Sequence, residues 1–77
     1  MNLKYNGSGD SKENAIYFTN AMTFVDHMEM QREYIRQNNL NINRINSCGN
    51  VKDRYMYDIY ETENGNIWFK VPNNIIE

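Results

Sequence analysis

The chain has 77 residues and a mass of 9.2 kDa, with 40% apolar, 13% aromatic and 23% charged residues and a net charge of −2. That length holds one domain and rules out a multidomain enzyme. Leu, Ile, Val and Phe make up about a fifth of the residues, near the level below which disorder is suspected, but the small net charge and the aromatic content point to a folded chain. A lone cysteine, Cys48, rules out an intrachain disulfide framework, and no apolar run approaches the roughly 18 residues of a membrane span.

A chain this short supports a core worth only about 3–5 kcal/mol and usually needs a staple. Cys48 and His27 are the only soft metal ligands, too few for a structural zinc site, so no metal and no cofactor is expected. The remaining staple is a partner surface or a second copy. The single thiol and the absence of a signal-like apolar stretch at Met1–Tyr5 suit a reducing, cytoplasmic setting. Eight basic and ten acidic residues spread along the chain argue against nucleic acid, which normally meets a basic stripe. Asparagine occurs fourteen times, whereas leucine and alanine occur twice each. That bias follows AT-rich codons and suggests a phage, a mobile element or a low-GC chromosome.

Residues 1–14 read as a turn-rich segment, with Asn6-Gly7-Ser8-Gly9-Asp10-Ser11 as a loop. Ala15-Ile16-Tyr17-Phe18-Thr19 suits a strand with Ile16 and Phe18 on one face and Tyr17 on the other. A helix is expected from about Thr23 to Gln37. Thr23 and Asp26 resemble a capping box, with Asn20 as a competing cap. Phe24, Val25, Met28 and Ile35 supply an apolar stripe that Arg32 can cover with its stem. Glu29–Arg32 and Glu33–Arg36 are ion-pair spacings, and Asn38-Asn39 offers a left-handed stop.

Leu40 to Ile45 alternates and then breaks step, which predicts a strand with a bulge near Arg44. Ser47-Cys48-Gly49-Asn50 reads as a turn. Arg54–Thr62 and Asn66–Val71 flank Glu63-Asn64-Gly65, a strong hairpin signal, and Pro72 ends the last strand. Residues 73–77 form a tail in which Ile75-Ile76 has apolar surface to tuck away. The expected fold is α+β, in the order β-α-β-β-β, with the helix across one face of an antiparallel sheet and a single domain at 15–72.

In that arrangement Ile16, Phe18, Ile42, Tyr55, Tyr57, Ile59, Ile67, Phe69 and Val71 meet the helix. Tyr17, Met56, Asp58, Tyr60, Trp68 and Lys70 lie on the second face, which is left to water, a partner or another copy. Tyr17, Met56, Tyr60, Trp68 and Lys70 are therefore the candidate protein-binding residues, since Tyr, Trp and Met are enriched at interface cores. The alternative is that aromatics simply suit strands, and a register slip of one residue reverses the faces.

The other constellations are weaker. Cys48 with His27 lacks a group to lower the thiol pKa and a third orienting residue, so a half-buried thiol and a surface histidine are expected, and no catalysis. Gly7-Ser8-Gly9 lacks the strand before it and the helix after it that a phosphate cradle requires. Asn6, Ser8 and Asp10 have calcium-loop spacing but no glycine or glutamate at the positions that complete such a loop. Asp26, Glu29 and Glu33 interleave with basic residues as solvated pairs. Arg32, Arg36, Arg44, Lys52 and Arg54 are too dilute for a nucleic-acid patch.

The run Gly7-Ser8-Gly9-Asp10-Ser11-Lys12-Glu13-Asn14-Ala15-Ile16 resembles the opening of small uncharacterised bacterial domains that read Gly-x-Gly-x-Ser-x-Glu-x-Ala-Ile. Those continue with a helix containing Glu-Tyr, here Glu33-Tyr34, and close with a hairpin, here around Asn64-Gly65 and Trp68-Phe69; Val71-Pro72 departs from their ending. The resemblance spans about residues 7–71, implies the same strand, helix and hairpin order, and implies no activity. The resulting expectation is a small cytoplasmic protein-binding module, possible source a phage or mobile element, acting on a host protein. The alternative is a homo-oligomeric structural or accessory protein.

Overall fold

The structure, a computed structural model, describes residues 1–73. The expected tail contact of Ile75-Ile76 lies outside the described residues. The elements are β1 (Tyr5–Asn6), β2 (Tyr17–Phe18), α1 (Phe24–Gln37), β3 (Ile42–Cys48), β4 (Tyr55–Thr62) and β5 (Gly65–Pro72). The fold is α+β: β1 pairs with β2, and β3-β4-β5 form an antiparallel sheet. The order β-β-α-β-β-β contains one strand more than expected. Two residues of β1 carry no periodicity of their own, and pairing of Tyr5 with Phe18 and Asn6 with Tyr17 makes them a strand.

Local chemistry sets the helix ends. The Thr23 hydroxyl accepts from the Asp26 N–H at 3.1 Å, and the Asp26 carboxylate accepts from the Thr23 N–H at 3.2 Å, closing the capping box. Asn20 is not the cap; its side chain holds the N-terminal segment, donating to the Asn2 carbonyl at 2.9 Å. At the other end Asn39 takes φ 52°, the Asn39 N–H donates to the Arg36 carbonyl, and the Leu40 N–H donates to the Ile35 carbonyl. That is a Schellman stop. Of the two ion-pair spacings on α1, Glu33–Arg36 forms an ion pair.

The buried face of α1 is not the apolar stripe. His27, Met30 and Gln31 are buried, whereas Phe24 and Val25 are 44% and 49% exposed. Tyr34 completes an i, i+3, i+4, i+7 row with them and packs on the core. Two polar residues thus face the sheet, and Gln31 is matched there by polar partners. Its amide donates to Asp58 at 3.0 Å, the Tyr60 hydroxyl donates to its carbonyl at 2.9 Å, and the Ser47 hydroxyl donates to Asp58 at 2.8 Å.

Phe69 is the centre of the core. It stacks on Phe18 at 5.9 Å and takes the edges of Tyr34 and Tyr60 at 5.6 and 5.1 Å. Ile16, Phe18, Met30, Tyr60 and Phe69 form the buried cluster, with Ile42 and Ile67 packed against it. Ile67, Phe69 and Val71 face the helix as expected, but β4 is reversed. Asp58 pairs with Phe69 and Tyr60 with Ile67, so Met56, Asp58, Tyr60 and Thr62 face inward while Tyr55, Tyr57 and Ile59 face outward.

The cause is the length of the hairpin loop. Thr62 pairs with Gly65 across a two-residue loop, not across three residues. One residue fewer exchanges the two faces of one strand relative to the other. Gly65 has φ 115° and Asn64 does not reach positive φ, so this is not the type I′ turn that Asn-Gly favours. The bulge is found between Ile42 and Arg44. Beyond it β3 continues through Ser47 and Cys48, residues expected in a turn, because both pair with β4.

The free edge of β5 is occupied. The Ile16 N–H donates to the Trp68 carbonyl at 2.8 Å, Lys70 N–H to the Ile16 carbonyl at 2.9 Å, and Trp68 N–H to the Gly9 carbonyl at 2.8 Å. The outer edge of β3 has no strand beside it among the described residues.

Candidate functional site

The face of the sheet turned away from α1 is built from β4 and β5 side by side. Tyr57 pairs with Lys70 and Ile59 with Trp68, and Tyr55 lies one step along β4 on the same face. From β3, Cys48 stands beside Tyr57 and Asn46 beside Ile59. No helix or strand among the described residues lies over this face, and Tyr55, Tyr57, Ile59 and Trp68 are each half-buried. The Tyr57 and Trp68 rings meet edge to face at 6.3 Å.

Two lysines are set on the rings. The Lys12 ammonium, from the loop before β2, lies 5.1 Å from the centre of the Tyr57 ring. The Lys70 ammonium lies 4.7 Å from the Tyr55 ring and 5.8 Å from the Tyr17 ring. Both distances to the nearer ring fall within the range of a cation–π attraction. The Glu61 carboxylate on this face of β4 is held by Arg44 at 3.3 Å and by the Asn46 amide.

Of the five residues singled out in the sequence, Trp68 and Lys70 lie on this face and Tyr17 at its margin, beside Tyr55. Tyr60 and Met56 do not. Tyr60 is 6% exposed within the core, and Met56 is paired on the inward face next to Gly49. Tyr55, Tyr57, Ile59 and Lys12 take their places, the first three because of the loop parity. No local signal placed Lys12 there.

The loop that carries Lys12 folds back on itself. Gly9 N–H donates to the Asn14 carbonyl at 2.7 Å, and Ser8 and Asn14 donate to Asp10, which holds that exposed carboxyl below the usual carboxylate range. A Cβ on Gly7 would stand 2.3 Å from the Ala15 carbonyl oxygen, and one on Gly9 would stand 2.9 Å from Ile16 Cδ1. The Gly-x-Gly and Ala-Ile pieces of the opening run therefore pack on each other.

A cleft of about 270 Å³ opens beside Lys70, lined by Gly7, Glu13, Asn14, Tyr17 and Tyr55. His27 and Cys48 do not meet: His27 is on the face of α1 turned to the core and Cys48 on the outer face of β3. His27 is 1% exposed rather than on the surface, and burial pushes its imidazole below its ordinary pKa, against the raising effect of Asp26. Neither ring nitrogen has a hydrogen-bond partner among the described residues. Among those residues no three His, Cys, Asp or Glu side chains are grouped to hold a metal, and no helix is long and apolar enough to cross a membrane. Compared with protein-family models, curated proteins and solved structures, the chain matches none.

Proposed function

We propose that this chain is a small, non-catalytic module that works by binding another protein on the outer face of its sheet. The observation that supports this reading is the adjoining placement of Tyr57, Ile59 and Trp68 on a face that no described helix or strand covers. Tryptophan and tyrosine bring large contact area with few rotatable bonds, which is why they anchor interfaces. The separation of His27 from Cys48 speaks for binding over nucleophilic catalysis. The lone thiol supports a cytoplasmic setting, and the asparagine-rich composition supports a phage or mobile-element source with a host protein as partner.

The test is Trp68→Ala. The variant keeps the circular-dichroism spectrum and cooperative unfolding of the wild type and loses capture of the partner. Undiminished capture by the folded variant overturns the reading; should Trp68→Ala fail to fold, Tyr57→Ser makes the same comparison.

The outer edge of β3, which no strand among the described residues covers, favours a second reading, association of two copies through that strand. Light scattering across concentration measures it. A dimer whose Trp68 emission matches that of the monomer places the contact at the edge and leaves the outer face open.

A further inference from the structure

The charges on the outer face are sorted differently from those of the whole chain. The chain carries −2 overall. On the sheet strands of this face the carboxylate of Glu61 is already paired with Arg44. Lys12 and Lys70 have no carboxylate within ion-pair distance among the described residues, although Glu13 lines the cleft beside Lys70. Each ammonium instead rests over a tyrosine ring, Lys12 on Tyr57 and Lys70 on Tyr55. An ammonium held this way keeps N–H donors for a ligand arriving from solvent and offers no acceptor. The aromatic patch is thus cationic on an acidic protein.

We infer that the segment received by this face is an acidic, extended peptide of a partner protein. Its carboxylates meet Lys12 and Lys70, over Tyr57 and Tyr55, and an apolar side chain next along the peptide rests on the adjoining pair Ile59 and Trp68. The inference rests on the protein-binding reading above and names the chemistry of the partner.

The same geometry disfavours two other occupants. An isologous contact between copies sets one cationic patch against another, which costs affinity. A nucleic-acid strand needs open ring faces for base stacking and a track of cations for its phosphates. Here the Tyr55 and Tyr57 faces are taken by the lysines, Tyr57 and Trp68 stand edge to face, and two unpaired ammoniums make a short track.

The probe is a random dodecapeptide library displayed on phage and selected on the full chain, on Trp68→Ala and on Lys12→Glu/Lys70→Glu, each checked by circular dichroism. Should a variant fail to fold, Tyr57→Ser and Lys12→Gln/Lys70→Gln make the same comparisons. Peptides that need Trp68 are expected to be enriched in Asp and Glu to one side of an apolar residue. A synthetic consensus peptide is expected to shift Trp68 emission, to bind less tightly as salt is raised, and to bind the charge-reversed variant about tenfold or more weakly. Trp68-dependent peptides without acidic enrichment, or equal binding to the charge-reversed variant, overturn the inference and leave the protein-binding reading standing. Selection that yields no Trp68-dependent peptide overturns both. Trp68 quenching by a fifteen-residue oligothymidylate, at concentrations where the peptides give none, overturns it in favour of nucleic acid.

Discussion

The Tyr60 hydroxyl donates to the carbonyl of Gln31 at 2.9 Å inside the core, joining the middle of α1 to the middle of β4. Gln31 is 1% exposed, and its amide donates onward to Asp58, so both ends of the buried side chain are satisfied. Burial, with the Asp58 charge adding to it, raises the Tyr60 pKa above the ordinary phenol value. The bond therefore persists through neutral pH with the phenol as donor.

Gln31→Leu is expected to destabilise the fold by about 1–3 kcal/mol, because the Tyr60 hydroxyl is left without an acceptor in the core. Tyr60→Phe removes one bond and costs about 1 kcal/mol. The double variant is expected to lose less than the sum of the two, since each single change already breaks the same bond. Urea denaturation of the four proteins measures the coupling, and additive losses refute it.

Tyr60 and Tyr57 sit on opposite faces of β4, and truncation separates them. Tyr60→Ala empties the space against Phe69 and costs about 3–5 kcal/mol, comparable to the whole stability of so small a domain. Tyr57→Ala on the half-buried outer face costs about 1 kcal/mol and leaves a folded protein. Circular dichroism with thermal melting decides; an unfolded Tyr57→Ala beside a folded Tyr60→Ala would invert the assignment of faces.

Three of the four glycines with positive φ, Gly7, Gly9 and Gly65, differ in what surrounds them. Gly65→Ala meets open space and pays backbone strain alone, about 1–3 kcal/mol. Gly9→Ala adds a clash with the buried Ile16 side chain. Gly7→Ala adds a clash with a backbone carbonyl, Ala15, which has no rotamer to yield. Melting temperatures are expected to fall in the order Gly65→Ala, Gly9→Ala, Gly7→Ala. Equal losses at all three would show that the loop before β2 shifts freely.

His27 is the one histidine of the chain, and burial lowers its pKa in the folded state. In the unfolded chain it titrates near 6.5. Between the folded and unfolded values the unfolded chain binds more protons, so stability rises with pH across that window. The contribution is fully present above about pH 6.5 and is lost as pH falls from there through the lower folded pKa. Asp26 is the acidic neighbour on the helix, and the Tyr17 ring stands 5.6 Å away on β2. Denaturant melts from about pH 8 to about pH 5 read the slope, and His27→Leu is expected to flatten it. An unchanged slope in that variant assigns the effect to other groups.

What sequence alone determined were features written in neighbouring residues. Thr23 and Asp26 are three apart and cap α1 by themselves; Asn39 stops it; the turn at Glu63-Asn64, ahead of Gly65, joins β4 to β5. These make the α+β class legible, together with Trp68 and Lys70 on the outer face. Tertiary structure decided the rest. Whether two or three residues form the hairpin loop is a matter of one hydrogen-bonded pair, Thr62 with Gly65, yet it exchanges Tyr57 for Tyr60 as the residue facing outward. Gln31 belongs in the core only because Asp58 and Tyr60, 27 and 29 residues away, supply its partners. Lys12 reaches Tyr57 only because the Gly9 carbonyl docks its loop on β5. For Gln31 and Lys12 the deciding partner is distant in the chain, so no local pattern carries its signature; the hairpin loop is local, but its two possible lengths differ by one residue that the Asn-Gly signal does not resolve.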